Sequence, residues 1–539
     1  VTGADVVTLE QPVRSAPKVR RAAAKSTTPS IVTLPQRSAR RELIPVVVVA
    51  VVLGAAASAW SAATHSMVLY GDARAHLDVA RHVTDGLTVG LAQLGSVWLP
   101  LPHILLVPLV AITPLWHSGA AGAILSGICF VYTSVRMYTL VNEVTGSRIG
   151  AWVAFAVFAT NLNMLYVQTT ALTEPVLLAM LVGAVFHLAR WMRTMSAGEL
   201  MLAGVMTALA TLSRYEGWAL LAAGVVAVGI WSWRRHLRSK ASQANLIVYT
   251  VTGAYGVLLW FLYNLIIFHD PLYFLHSAYS AQAINGAQAK YGLLGTKGSL
   301  GTSIITYGWD MVGVVGAVVL VTGAVACAAL LLAPHRERLR TALVLMLLAA
   351  PVAFEIATLY IGQITIRVPQ LAPHEMWNDR YGLLALPLCA FAIGTVVGRW
   401  PRLVPVAAIA VVVGVTLMGL GTPLTLADGR SGVSSATAGR PQLIAGYLRT
   451  HYRGGEILAD DSAASSVMFA SYLDLKEFVS PGFHPFWEEA LADPSDHVEW
   501  VLAFPGDAVT TDLRTHPGRF SDFTPVLTQS NATLYRRKP

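Results

Sequence analysis

Apolar and polar residues fall into long blocks along this chain, not into the short periods of a soluble fold. Apolar runs of roughly 18 residues or more recur, each long enough as a helix to cross a bilayer's ~30 Å hydrocarbon core. They predict eleven membrane helices, near 43–64, 119–140, 149–165, 175–194, 197–213, 217–232, 245–268, 311–332, 341–361, 380–398 and 403–421. One further apolar run, LPLPHILLVPLVAITPLW (99–116), is short and contains four prolines. Proline breaks helices, and re-entrant segments tolerate it when protein surrounds them, so this run predicts a re-entrant or surface-lying segment. The first run is too long for a signal-peptide core and no cleavage site follows it, which predicts a retained helix.

The basic residues give these helices a direction. Residues 1–41 carry eight Lys/Arg among Ser, Thr and Pro, without apolar periodicity, and read as a disordered cytoplasmic tail. The connections Arg136–Arg148, Arg190–Arg193, Arg234–Lys240, Arg336–Arg340 and Arg399–Arg402 bring the total to 21 of the 38 basic residues. With eleven spans, all six segments fall on one side, which the positive-inside rule makes cytoplasmic. Counting 99–116 as a span would reverse every later loop. Loops 65–118, 166–174, 214–216, 269–310 and 362–379 then lie outside, with everything after about Leu424. The chain divides into a basic tail (1–41), a membrane domain (42–423) and an outer α/β domain (424–539). In the last, GRPQLIAGYLRTHYRGGEILADDSAASSVMFASYLDLKEFVSPG reads as helix, Gly-Gly turn, strand, helix and strand, with VEWVLAF and ATLYRR as further strands.

Composition agrees: the chain is 55% hydrophobic and 13% charged, with mean hydropathy +0.56, against about 25% charged for soluble domains. A net charge of +8 spread among loops orients a membrane protein and argues against a nucleic-acid partner. Cys129, Cys327 and Cys389 lie in apolar segments without metal-ligand spacing and read as core residues. Val1 fits a GTG start codon read literally, hence a bacterial gene and a plasma-membrane location.

Chemistry concentrates after the first span. In YGDARAHLDVARHVTDG (70–86), Ala73, Leu77, Ala80 and Thr84 form a small apolar stripe on a charged helix, the pattern of a helix lying along the membrane surface. Asp72 opens it, as N-cap or as a reactive carboxylate. The order of motifs resembles the GT-C superfamily of membrane glycosyltransferases, especially the bacterial relatives of protein O-mannosyltransferases and aminoarabinose transferases. In that superfamily an acidic residue follows the first helix, as Asp72 does here. A Pro-rich apolar segment comes next, similar to GSVWLPLPHILL, then a helix ending in a basic loop, similar to VRMYTLVNEVTGSRIG. A second acidic residue follows outside, matched by Glu174 in QTTALTEPVLL. LSRYEGWALL (212–221) is a further match, and HEMWNDRYGLLALPL (374–388) resembles the family's Arg-Tyr before a late Pro-containing helix. The resemblance covers about 43–400.

It implies transfer of a sugar from a polyprenyl-phosphate donor, which can reach the outer leaflet, to an envelope glycan, lipid or protein, with inversion at the anomeric carbon. Such transfer asks for a base at the acceptor hydroxyl, expected to be Asp72. It also asks for a cation at the departing phosphate, expected to be Arg380 with Tyr381 and Arg214. Arg74, His76, His103, Glu174, Glu216, His374 and Glu375 are the substrate-binding candidates. Glu174 reads equally as a helix-start charge, Arg214 and Glu216 as a structural pair, and His103 as a satisfied core histidine. No cofactor is required; a divalent ion on Asp72 and Glu174 is the open possibility. Glu355, inside an apolar helix, is costly unless functional or paired, with Arg367 as one expected partner.

Two other classes are weighed. A transporter or flippase would fit the many spans and Glu355, yet no related halves with interrupted helices are evident. An oligosaccharyltransferase shares the opening motifs, but the Trp-Trp-Asp-Tyr-Gly signature is absent. TYGWD (306–310) is a different sequence in a different place. Adjacent Asp460 and Asp461 read as a strand-end turn, because neighbours on a strand face opposite ways.

Overall fold

A computed structural model describes residues 36–235, 240–277, 280–290, 294–335, 337–436, 441–483, 485–529 and 532–539. The chain divides at Ile44, and the architecture is that of residues 45–539. Most of the expected basic tail, with Arg238 and Arg336 of the basic connections, lies outside the described residues.

Helices occupy every expected span. After α1 (Gln36–Ala63) the first loop holds α2 (Gly71–His82), α3 (Leu101–Val110) and α4 (Thr113–Ser118). The bundle continues with α5 (Ala120–Thr145), α6 (Arg148–Ala159), α7 (Leu162–Val167), α8 (Glu174–Thr194), α9 (Ala197–Thr211), α10 (Glu216–Arg234) and α11 (Lys240–Phe268). Then come α12 (Ala281–Lys290), α13 (Leu300–Val315), α14 (Ala317–Leu332), α15 (Arg338–Ile361), α16 (Leu386–Arg399), α17 (Val404–Gly419) and α18 (Leu424–Ala436). Among the described residues eight helices are long and apolar enough to cross a membrane, or nine with α13 and α14 taken as one bent span. The two remaining expected spans are the shorter apolar helices α6 and α9. The run at 149–165 is interrupted because Asn161 caps α7, its side chain accepting from the Met164 amide at 2.9 Å.

One boundary differs from expectation. The segment 300–310, expected in an outer loop, is the first part of α13, capped by Ser299. Gly316, with φ of 89°, turns the chain by 111° into α14. TYGWD therefore lies on a helix, and its Asp310 is fully buried.

Helices at the rim and at the centre divide the work. Only 17% of the α1 window and 22% of the α11 window is buried, so their apolar faces meet lipid. For α8 the share is 89%, and for Asp379–Arg399 it is 83%. Small residues let the central helices touch: a Cβ on Gly150 of α6 would come within 2.4 Å of the Gly394 carbonyl of α16.

The basic loops converge at one end of the bundle. Arg193 and Arg340 both bond Glu143, Arg340 also bonds the Ala189 carbonyl at 2.7 Å, and Arg399 reaches Thr341 Oγ1 at 2.8 Å. At the opposite end the first loop meets the C-terminal segment. That segment contains α19 (Pro441–His451), α20 (Asp461–Ser471) and strands β1 (Ile457–Ala459), β2 (Phe478–Val479), β3 (Trp500–Ala503), β4 (Phe523–Gln529) and β5 (Ala532–Arg537). The sheet order is β2-β1-β3-β5-β4, parallel among β1, β2 and β3 and antiparallel for β5 with β3 and β4. β4, with Pro525, was not expected; proline is tolerated there because β4 is an edge strand. Asp460 caps α20 through the Ser462 amide at 3.1 Å. Asp85 accepts from the Leu475 amide at 3.4 Å, and Trp116 meets Phe469 edge-on at 6.1 Å. The stripe of α2 is thus covered by protein and not by lipid: Ala73, Leu77 and Ala80 are fully buried against α3 and α20.

Candidate active site

Arg380 is placed by a turn. Asn378, at φ 61°, swings the chain into a short 3-10 helix (Asp379–Ala385) that runs straight into α16. Glu174 opens α8 next to Pro175, whose missing N–H costs nothing in a first turn. The two most buried spans therefore present a guanidinium and a carboxylate to each other, shielded from lipid by the outer helices.

The charges form a chain. Arg380 Nε donates to Glu174 Oε1 at 2.9 Å, and Arg380 Nη2 donates to Asp72. Arg214 Nη1 donates to the same Glu174 oxygen at 3.0 Å, and its Nε donates to Glu216 Oε1 at 2.7 Å. Tyr381 lies between the two guanidiniums, 5.1 Å from Arg380 and 4.7 Å from Arg214. Arg380 also faces the Tyr70 ring at 5.3 Å. Glu355 of α15 lies beside Glu216, where two carboxyl groups bond only with a proton between them, whereas Arg367 pairs with Glu375; the expected Glu355–Arg367 pair does not form. Buried charges persist only when paired, since leaving one partner alone costs about 3–5 kcal/mol.

Exposure separates the carboxylates. The Asp72 side chain is 40% exposed, while that of Glu174 is 0% and that of Glu216 is 4%. Asp72 is not the N-cap of α2: it is the second residue of the helix, and Tyr70 in the cap position makes no side-chain bond to it. As placed, Asp72 and Glu174 both face Arg380, so a divalent ion on that pair would have to displace the guanidinium. Among the described residues no group of three or more His, Cys, Asp or Glu could hold a metal ion.

The other candidates take different positions. His76 Nδ1 and His103 Nε2 are 2.9 Å apart in a buried pair beside Trp98. Burial pushes His103 down to about 4 and His76 well below its usual value, so the pair is neutral near pH 7. Arg74, its pKa lowered by burial, turns away to the Val68 carbonyl at 2.8 Å. His374 and Glu375 stay exposed on a loop, bonded to the Pro369 carbonyl and to Arg367. They are not drawn into the chain of charges.

Asp379 adjoins Arg380 in the sequence, but sequence reasoning missed Asp428, which the fold brings to the same end. Tyr70 Oη donates to Asp428 Oδ2 at 3.0 Å and to the Thr425 carbonyl at 2.7 Å, and Asp428 accepts from the Asp379 amide at 3.2 Å. Burial, then the Asp428 charge, holds Tyr70 well above its usual pKa, so it remains a donor. Asp379 is fully buried, and among the described residues neither of its carboxylate oxygens has a hydrogen-bond partner. Asp428 sits in α18, in a stretch assigned to the outer domain, and only α18 packing on α7 and α13 reveals it. Asp310, inside an apolar stretch, carried the one usable signal.

The sequence family described as dolichyl-phosphate-mannose-protein mannosyltransferase matches residues 109–260. The structure is similar to ArnT from Cupriavidus metallidurans bound to undecaprenyl phosphate, with TM-score 0.58 and 12% identity over 92% of this chain and 98% of that one. The apo form of ArnT gives TM-score 0.56 and 13% identity over the same shares. The apo oligosaccharyltransferase of Archaeoglobus fulgidus aligns at TM-score 0.45 and 12% identity over 85% of this chain and 69% of that one. No curated protein matches the sequence significantly.

The chain thus has the multi-pass membrane fold of ArnT, and its residues 109–260 match a mannosyltransferase family. The likeness in fold to ArnT runs over nearly the whole of both molecules.

Proposed function

We propose that this enzyme moves a sugar from a polyprenyl-phosphate donor to a cell-envelope glycan, lipid or protein on the outer face of a bacterial plasma membrane. The observation that carries the reading is the shared guanidinium: Arg380 binds two carboxylates, and only Asp72 is open to a substrate. Undecaprenyl phosphate on ArnT supports a donor of that chemistry. The N-terminus faces the cytoplasm in this reading, in keeping with the basic end of the bundle.

In the reaction a donor phosphate takes the place of Asp72 on Arg380, where the planar guanidinium grips it bidentately. The freed Asp72 accepts the proton of the acceptor hydroxyl as its oxygen bonds to the anomeric carbon. The bond from that carbon to the phosphate oxygen breaks, its electron pair stays on the phosphate, and Arg380 meets the charge. Displacement from the opposite side inverts the anomeric carbon. Arg214 and Glu174 hold Arg380 in place, and no divalent ion enters.

The test incubates purified protein with a panel of polyprenyl-phosphate sugars and envelope acceptors, with and without chelator, and analyses products by mass spectrometry. The expected result is one donor converted with inversion, at an unchanged rate under chelation. Wild-type turnover by Asp72→Asn would remove the proposed base, and loss of activity on chelation would restore the metal reading.

A further inference from the structure

The basic end of the bundle holds a cavity of about 300 Å³, opposite the charge chain, lined by Met192, Arg193, Trp231, Arg235, Glu337 and Arg340. Three helices end there: α8 and α10 by their C-termini, α15 by its N-terminus. Arg340 is consumed by the fold, bonding Glu143 and the Ala189 carbonyl, and Glu143 also takes Arg193. Arg235 is different. Its guanidinium rests over the Trp231 ring at 5.3 Å, and among the described residues no carboxylate lies within ion-pairing distance of it. Trp231 is 8% exposed, and among the described residues its indole N–H has no partner. Helix α15, 24 residues long, starts at this cavity; its Arg338 amide bonds the His335 carbonyl at 3.1 Å, and among the described residues no side chain caps the Leu339 and Arg340 amides that follow. The acid in the lining, Glu337, approaches Arg340 at 3.8 Å.

A buried indole N–H without an acceptor, an exposed guanidinium without an anion and an uncapped helix start all call for a negatively charged oxygen. We propose that this cavity binds a phosphate group, that of an anionic phospholipid of the adjacent leaflet. Arg235 meets the phosphate charge, Trp231 Nε1 donates to one of its oxygens, and the α15 amides donate to another. A lipid head group suits the position, because basic pockets between membrane helices on the cytoplasmic side are where anionic head groups settle. The site is distinct from the one that handles the sugar donor.

The full-length protein in detergent is titrated with dioctanoyl phosphatidylglycerol, dioctanoyl phosphatidylcholine and inorganic phosphate, and binding is followed by native mass spectrometry. The expected result is one tight site for phosphatidylglycerol, weakened about fivefold by Arg235→Gln and also weakened by Trp231→Phe, which keeps the ring and deletes the N–H. Weaker binding of phosphatidylcholine, and failure of inorganic phosphate to displace the glycerol lipid, assign the site to a lipid. Displacement by inorganic phosphate at comparable concentration supports the phosphate site while assigning it to a soluble anion. Equal phosphatidylglycerol binding by wild type and both variants, or no preference over phosphatidylcholine, overturns the proposal. Sugar transfer, unaffected by either substitution, reports that the variants are folded.

Discussion

Asp72 and Glu174 bond the same guanidinium, yet substitution should separate them because one meets water and the other does not. Asp72→Asn removes the proposed proton acceptor and leaves a neutral side chain that still reaches Arg380. Transfer is expected to fall at least about a hundredfold, with lipid-phosphate affinity equal to wild type or tighter, since Arg380 loses a competing anion. Titration of the variant with a polyprenyl phosphate, beside a turnover assay, checks both. Glu174→Gln instead leaves Arg380 and Arg214 sharing a neutral acceptor in a buried site. The expected effect is a loss of about 3–5 kcal/mol in stability, read as a lower Tm in detergent, whereas the half-exposed Asp72 variant keeps its Tm.

At the scale of elements, α2 is held by polar contacts that belong to the first loop. Asp78 on α2 accepts the Trp116 indole N–H at 2.9 Å, which ties α2 to α4. Burial pushes the Asp78 carboxyl up to about 7, with Asp461 raising it further, against the Trp116 bond and Arg74. A raised carboxyl favours the fold while protonated, so its contribution is complete below the unfolded pKa near 4 and is lost as pH climbs through 7. Wild type should therefore lose stability between about pH 4 and 7 relative to Asp78→Asn, which cannot ionise. Parallel pH dependences of Tm for the two proteins would contradict that account. Element by element, the helices were legible from apolar run length alone. Their breaks at Asn161 and Gly316 were not, because each depends on a cap or a positive φ chosen by the surrounding helices.

At the scale of the molecule the two ends of the bundle are chemically unlike. One gathers the basic loops around Glu143, and the other gathers Asp72, Glu174, Arg214 and Arg380 beneath the C-terminal sheet. This sidedness predicts labelling. In intact cells a membrane-impermeant thiol reagent should reach Arg449→Cys on α19 and should reach Arg402→Cys only after permeabilisation. The native thiols compete little, since Cys129 and Cys389 are buried and Cys327 is partly covered. The reverse pattern would invert the topology and place the sugar chemistry in the cytoplasm.

Run length and charge placement, both local properties, are enough to predict the spans and to set Asp72, Glu174 and Arg380 apart from the basic loops, because the bilayer imposes its thickness and polarity on any sequence. Which of these carboxylates a substrate can touch is not a local property. It follows from the depth at which α8 and the start of α16 are packed, and only the folded bundle sets that depth. The same holds for Asp428, distant in the chain and drawn against Asp379 beside Arg380 by the packing of α18, and for Glu355, which meets Glu216 instead of Arg367. A buried charge is stabilised by whichever partner the fold delivers to it, and no spacing along the sequence encodes that partner.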